Sequence, residues 1–304
     1  MSQAWPELDA ERDSPTFAVL HLASQMLGKI RVANAPWSNH GWHSALQPRA
    51  NGLETLPTAA GDGRVFTLVL DLCRHAIVLW VSDQARDELP LNAGSIVALH
   101  ARLIAMLERN GLPSAFNGKP NEIEDSVPFA ADQARRLYDR DSADRLRAAL
   151  AAMMPPFERF RAGFAGKASP VHFWWGSFDL AVTRFSGRPA PMHPGGIPGL
   201  PDRITREAYS HEVSSAGFWG GGAAAAEPFF YSYAYPEPAG FREAKIAHGR
   251  FDEGFGEFVL PYAQVRNAAD PAGTLKEFLQ STYDAAADLA KWDRPALERD
   301  PAAP

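Results

Sequence analysis

A short segment in the second half of the chain carries an unusual mixture of side chains that can bind ligands or transfer protons. Residues 169–188 hold one histidine, two tryptophans, one aspartate and two arginines in a run of otherwise strand-like composition. Burying polar groups among aromatic side chains costs free energy unless those groups are paired or used. The segment therefore predicts either a functional site or a demanding part of the core.

Side chains alternate between the two faces of a β-strand, so this segment has two distinct sides. The even positions from His172 to Arg184 are mostly apolar, and we expect that face to pack in the core. The odd positions are mixed in character, and we expect them to line a cleft. They are Phe173, Trp175, Ser177, Asp179, Ala181 and Thr183.

Two later strand-like runs can bring further polar groups to the same cleft. His211 lies on the first run, and three tyrosines at alternate positions share a face of the second. If these strands are neighbours, Ser177, Asp179 and His211 meet the tyrosines on one surface. The tyrosines are Tyr231, Tyr233 and Tyr235. An aromatic wall with a few convergent polar groups is typical of a small-molecule site.

One hypothesis for this surface is acid–base catalysis on a small anionic substrate. His211 would be the general acid or base, because its ordinary pKa near 6.5 suits proton transfer at neutral pH, and Asp179 would orient it. Arg184 and Arg188 would hold a carboxylate or phosphate of the substrate. The other substrate-binding residues would be Trp175, Ser177 and Tyr233. The alternative is structural: Asp179 pairs with an arginine across strands, and His211 is an ordinary sheet residue.

A second hypothesis is a metal centre. Imidazole and carboxylate ligands together suit zinc or iron. The spacing between His40 and His43 needs a turn, because residues three apart on a strand point to opposite faces. The sequence contains no His-Glu-x-x-His pattern. The residues able to act as ligands are His40, His43, His172, His211 and Glu212.

Composition bounds the kind of protein. A chain of 304 residues, 46% hydrophobic and 22% charged, is an ordinary globular protein with room for one or two domains. The net charge of −6 and the lack of a basic stripe argue against a nucleic-acid partner. No apolar run approaches the roughly 20 residues that span a bilayer, and no secretory-signal pattern is visible. We therefore expect a cytoplasmic protein without a membrane partner.

Two further properties limit the chemistry. Cys73 is the only cysteine, which excludes an intrachain disulfide and a multi-cysteine zinc site. The sequence specifies no cofactor and no oligomeric state.

The two halves of the chain repeat one series of features. An amphipathic helix leads to Gly-Lys at 28–29 and again at 166–167, where a glycine is expected to end the helix. A proline, a His-x-Trp motif, an Arg-x-x-Gly motif and two strand-like runs follow in each half. A Leu-Pro pair then precedes a closing helix, which Ser95 caps in the first half and Asp270 in the second.

These features predict an α+β protein with two pseudo-repeated halves, each built as helix, about four antiparallel strands and helix. The halves are expected at 1–115 and 156–292 and can share one curved sheet, and a tail at 293–304 is expected to fray. The segment between them, 116–155, is expected to be helical near 130–138 and 142–154. Pro155 and Pro156 are expected to end the second of these helices.

Two stretches rich in glycine or proline are expected to be loops. They are 187–203 and 220–226, and either can be a lid or an irregular surface loop.

Several longer motifs resemble a family of bacterial proteins known as domain of unknown function family 5996. They are Gly28 to Arg31, Asn39 to His43, Gly166 to Arg188, Arg206 to Glu212, Tyr233 to Pro238 and Gln280 to Ala286. The resemblance runs nearly end to end and implies no activity, cofactor or catalytic residue. From the residues we expect a small-molecule cleft in the second half, either of an enzyme or of a non-catalytic metabolite- or protein-binding module.

Overall fold

The computed structural model describes residues 5–221 and 227–299. Helices and antiparallel sheets both contribute, which confirms the predicted α+β class. The first half contains α1 (Ala10–Ala33), β1 (Gln47–Arg49), β2 (Gly52–Glu54), β3 (Thr58–Ala59), β4 (Val65–Asp71), β5 (Ala76–Val81), β6 (Arg86–Pro90), β7 (Gly94–Ser95) and α2 (Ile96–Arg109).

The rest of the chain adds a long central helix and a second sheet. Between the halves lie β8 (Arg135–Arg136) and α3 (Arg140–Ala162). The second half contains β9 (His172–Trp174), β10 (Asp179–Pro189), α4 (Asp202–Ala208), β11 (His211–Trp219), β12 (Phe229–Tyr235), β13 (Arg250–Asp252), β14 (Glu257–Pro261), α5 (Tyr262–Arg266), α6 (Pro271–Leu289) and α7 (Arg294–Leu297).

Most of the described strands form two antiparallel sheets, one in each half, and β7 pairs with β8 in a small third sheet. The order is β1-β2-β4-β5-β6 in the first, with β3 beside β4, and β9-β10-β11-β12-β14-β13 in the second. The sheets approach at one edge, where Leu46 and Phe173 exchange backbone hydrogen bonds of 2.9 and 2.8 Å. Both halves run helix, sheet, helix along the chain, and their origin by duplication stays a prediction.

The second sheet has one face in the core and one face toward a cavity. Even-numbered residues of β10, such as Leu180 and Val182, are fully buried with side chains of α3 and α6. The odd-numbered residues Asp179, Ala181 and Thr183 line the cavity. Strand alternation in the sequence therefore predicts both faces of β10.

Helix α1 does not end at Gly28 as predicted but continues to Ala33. The reason for this glycine is close packing, because a Cβ there would lie 2.2 Å from atoms of the Trp175 indole. Trp175 is held in place by a hydrogen bond of 2.8 Å from its Nε1 to the carbonyl oxygen of Ser44.

Helix α3 likewise does not break at Pro155 and Pro156 but extends to Ala162. The residues around the prolines, including Met153 and Phe157, are fully buried. Their burial stabilises the helix by more than the backbone hydrogen bonds that proline removes.

Two other expectations about the connecting segment and the tail are wrong. Residues 130–138 form no helix, because Asp132 accepts hydrogen bonds from the Ala134 amide and Arg136 and so favours a turn. The tail, expected to fray from 293, contains α7, and the carbonyl oxygen of Leu297 accepts hydrogen bonds from the amides of Ala165 and Gly166. Its last residues, 300–304, lie outside the described part of the chain.

Candidate functional site

A cavity of about 610 Å³ lies on the odd-numbered face of the second sheet. The sheet forms its floor. The carboxyl end of α1, the segment 37–44, the loop residues 197–201 and α4 complete its walls.

The floor is hollow because four small residues lie side by side at its centre. Ala181 pairs with Gly217 and Thr183 pairs with Ser215 across β10 and β11. Larger side chains surround them on the same face: Phe185, Trp219, Phe229, Tyr231 and Tyr233. A patch of small residues inside a ring of large ones leaves room for a ligand.

Asp179 is the buried carboxyl group at one end of this floor. It is 5% exposed and accepts hydrogen bonds from the hydroxyls of Ser177 and Tyr231. Burial raises the pKa of Asp179 to about 6, although both hydrogen bonds lower it. A carboxyl group with this pKa can hold or release a proton close to neutral pH.

Tyr231 reaches Asp179 by crossing over Gly217. A Cβ at Gly217 would lie 2.3 Å from the Tyr231 hydroxyl and 2.3 Å from the Leu180 carbonyl oxygen. Glycine is therefore needed here for the close approach of the tyrosine ring to the strand.

Hydroxyl groups continue along the floor. The hydroxyls of Tyr209 and Tyr233 lie 2.8 Å apart, and those of Thr183 and Ser215 lie 2.9 Å apart. Burial raises the pKa of Tyr209, Tyr231 and Tyr233. These groups are therefore neutral hydroxyls that can both donate and accept hydrogen bonds.

Two glutamates that sequence reasoning missed also face the cavity. Burial and the neighbouring charge of Asp179 raise the pKa of Glu122 to about 7 and that of Glu257 to about 8. Glu257 begins β14, and the β12–β14 register continues to place it beside Tyr233, a signal that strand alternation could have provided. Glu122 lies in the connecting segment with a left-handed φ of 55°, where no periodic pattern marks it.

The cavity lining also carries Lys29, on α1. Its ammonium donates to the side-chain oxygen of Asn121 and lies 5.4 Å from the centre of the Trp175 ring. Burial lowers the pKa of Lys29 to about 8. The amine is still mostly charged at neutral pH, and it is oriented by its contacts with the protein.

His40 lies at the rim of the cavity with a defined hydrogen-bonding pattern. Lys167 donates to its Nε2 at 2.5 Å, and its Nδ1 lies 3.1 Å from the carbonyl oxygen of Glu207. Burial and the charge of Lys167 lower the pKa of His40. The ring is therefore neutral, with Nδ1 as the donor.

The structure brings together four of the residues singled out in the sequence. Trp175, Ser177, Asp179 and Tyr233 all line the cavity.

His211 does not join the other four. It pairs with Pro189, whereas Asp179 pairs with Trp219 eight residues further along β11, which corresponds to about 26 Å of strand. Asp179 therefore cannot orient His211, whose ring instead lies 5.9 Å from that of His40.

The two arginines expected to bind substrate lie elsewhere. Arg184 is 1% exposed on the core face, where its guanidinium donates to the Phe160 carbonyl oxygen and lies 4.2 Å from the Tyr283 ring centre. Arg188 is on the surface and pairs with Glu212 at 2.6 Å. Neither arginine lines the cavity, so the expected contact with an anionic substrate is not made.

Replacing Arg188 by alanine is expected to lower the free energy of unfolding by about 1 kcal/mol, because an exposed ion pair and two bonds to helix-end carbonyls are lost. Denaturant unfolding measures this loss, and Glu212→Ala, which removes only the ion pair, is expected to cost less. A loss above about 3 kcal/mol would contradict the surface role of Arg188.

The proposed metal ligands are dispersed. His40 and His43 line the cavity, but His172 is fully buried beside Trp174, and Glu212 is held by Arg188. Within residues 5–221 and 227–299, no group of three or more histidine, cysteine, aspartate or glutamate side chains could hold a metal ion. The metal hypothesis therefore has no ligand set in this part of the chain.

The first predicted loop covers the cavity. Ile197, Leu200 and Pro201 line it from above. The side-chain amide of Asn121 donates to the Gly199 carbonyl oxygen at 2.7 Å, which ties the loop to the connecting segment. The second predicted loop, 220–226, lies outside the described residues from 222 onward.

Comparisons with known proteins identify one family. Residues 5–299 match the model of a family described as a family of unknown function, DUF5996. No curated protein and no solved structure matches the chain. None of the helices in the described ranges is both long and apolar enough to cross a membrane.

Proposed function

The chain belongs to the DUF5996 family, and we propose that it binds a small organic molecule in the cavity of its second half. The observation that carries this proposal is the cavity of about 610 Å³ with aromatic walls and a few convergent polar groups. Pockets of this size and lining are the usual anatomy of small-molecule sites.

The arrangement of the lining favours a ligand with two different sides. Trp37, Trp42 and Trp175 offer apolar surface on the wall formed by the helix and the segment after it. The floor offers hydroxyls and carboxyl groups, including Tyr233 and Asp179. A molecule with an apolar or planar body and a hydrogen-bonding edge fits both walls.

A second candidate function is acid–base catalysis in the same cavity. It is favoured by the pKa of Asp179, raised to about 6, and that of Glu122, raised to about 7. Carboxyl groups with different, near-neutral pKa values are the usual proton donors and acceptors of such sites. In this candidate Asp179 keeps a catalytic role without His211.

Filling the floor tests the binding proposal. Ala181 is 2% exposed to solvent and lines the cavity without using its side chain for a hydrogen bond. A thermal-shift screen of metabolites on the wild type should identify stabilising compounds. The change Ala181→Phe should weaken their binding about tenfold or more, as measured by calorimetry, because the ring occupies the ligand's space.

The matched control is Ala101→Phe, which adds the same ring on an exposed position of α2 and should leave binding unchanged. If Ala181→Phe does not fold, Thr183→Leu places a smaller obstruction on the same floor. A screen without any stabilising compound, or equal binding by the filled variant, would overturn the proposal.

A further inference from the structure

The polar end of the cavity holds three carboxyl groups that have no cationic side chain as a partner in the described part of the chain. Asp179, Glu122 and Glu257 all line it, and the charge of Asp179 acts on both glutamates. In the described ranges, neither glutamate has a hydrogen bond or an ion pair with another side chain. Like charges in a partly buried space repel one another, and the repulsion is relieved either by protons, as the raised pKa values of the glutamates indicate, or by a cation.

The cations of the cavity lining are occupied elsewhere. Lys29 is held by Asn121 and faces the Trp175 ring. The guanidinium of Arg203 lies 5.5 Å from the centre of the Trp37 ring. Neither makes an ion pair with the three carboxyl groups within the described part of the chain. No side chain among the described residues supplies a cation to these carboxyl groups, so a bound cation can take the place of the protons that Glu122 and Glu257 hold near neutral pH.

Aromatic rings beside the carboxyl groups also favour a cation. Trp219 pairs with Asp179 across the strands, and Phe229 pairs with Trp219. Tyr231 and Tyr233 stack with their ring centres 6.1 Å apart. The faces of such rings attract cations, most strongly organic ammonium groups.

The size of the site distinguishes an organic cation from a metal ion. The described residues contain no cluster that could hold a metal, and a cavity of about 610 Å³ is far larger than a single ion. The apolar wall of the cavity also fits the apolar part of an organic ligand, which a metal ion does not have.

We propose that the ligand is an organic cation, an ammonium group on a small apolar or aromatic body, with its charge among Asp179, Glu122 and Glu257. This inference rests on the proposed function, since it names the ligand class of the same cavity. The body would lie against Trp175 and Trp42.

Matched sets of small molecules test the ligand class. Each set keeps one body and changes only the charge: 2-phenylethylamine, 2-phenylethanol and phenylacetate; tryptamine, tryptophol and indole-3-acetate; cyclohexylmethylamine, cyclohexylmethanol and cyclohexanecarboxylate. In at least one set, calorimetry on the wild type at neutral pH should show the amine binding about tenfold more tightly than the alcohol. The carboxylate should bind more weakly than both, because it meets like charge.

Two glutamine variants of the cavity glutamates test where the positive charge of the ligand lies. Near pH 9, where both glutamates are ionised in the free protein, Glu257→Gln and Glu122→Gln should each weaken binding of that amine about tenfold, and neither should change binding of the alcohol. Glu243→Gln makes the same charge change at an exposed position and should have no effect on either ligand.

The inference is overturned if no amine binds more tightly than its alcohol in any set, or if the glutamine variants bind the amine as well as the wild type does. If alcohols or carboxylates bind more tightly than amines and Ala181→Phe blocks their binding, the cavity is still a binding site and only the proposal of a cationic ligand is wrong. A metabolite screen without hits, together with no binding in any set, would remove both proposals.

Discussion

Replacing Gly217 by alanine is expected to destabilise the protein by about 3 kcal/mol or more and to remove ligand binding. The added Cβ would lie 2.3 Å from the Leu180 carbonyl oxygen and 2.3 Å from the hydroxyl of Tyr231. Either β11 must move away from β10, or the tyrosine ring must leave Asp179. Denaturant unfolding measures the stability, and calorimetry with the compounds found for the wild type measures the binding.

Gly220→Ala is the control for this prediction. A Cβ at Gly220 would meet only Phe218 at 3.8 Å and Leu146 at 4.0 Å, which are ordinary contacts. Its effect on the free energy of unfolding should stay within about 1 kcal/mol. A Gly217→Ala protein with wild-type stability and binding would show that Tyr231 does not need this close approach.

Replacing Glu257 by glutamine is expected to stabilise the protein at alkaline pH. Burial raises the pKa of Glu257 to about 8 from an ordinary value of 4.5. Between those pH values the unfolded chain loses the proton while the native state keeps it, so the native state loses stability as the pH rises. The variant should match the wild type near pH 4.5 and exceed its free energy of unfolding by about 3 kcal/mol near pH 9, which is less than the full difference between the two pKa values gives because Glu257 is partly exposed.

Unfolding curves of both proteins at several pH values check this result. Comparing the two proteins removes the contributions of other groups, such as His21 and His172, whose pKa values burial lowers. Glu243→Gln, at an exposed position, is measured in parallel as the control for the loss of a surface charge. A Glu257→Gln effect that is constant across this range would mean that the carboxyl group titrates normally in the native state.

Strand alternation predicted the cavity face because it depends on only a few neighbouring residues. Asp179, Ala181 and Thr183 follow it along β10 and line the cavity. Trp175 and Ser177 line the cavity from the turn between β9 and β10, whereas Phe173, expected in the cleft, lies on β9 and is buried in the core. His211 does not lie near Asp179, because the antiparallel pairing of β10 with β11 places Asp179 beside Trp219, at the opposite end of β11. Which residues of two strands pair depends on both strands at once, and no local pattern in either strand marks it.

The charge of a side chain predicts its location in the fold less well than its position on the strand does. Arg184 lies on the face that alternation assigns to the core, and the structure places it there between the rings of Phe160 and Tyr283. Its guanidinium is stabilised by these rings and by the Phe160 carbonyl oxygen, so it needs no anionic ligand.

Loop residues and helix ends were the least predictable. Glu122 reaches the cavity through a segment without regular structure, and its position depends on contacts with distant parts of the chain. Pro155 and Pro156 predict the end of a helix locally, but the burial of Phe157 and Phe160 outweighs that preference. In each case tertiary packing determines the outcome.

The contact between Gly28 and Trp175 makes the volume of the cavity independent of the charge of its lining. Gly28 does not line the cavity, yet any larger side chain there would push the indole into the space above the floor. A substitution at Gly28 can therefore change the volume of the cavity without changing the carboxyl groups that select for the charge of the ligand. Family members with a bulkier residue at this position would accept smaller molecules of the same chemical kind.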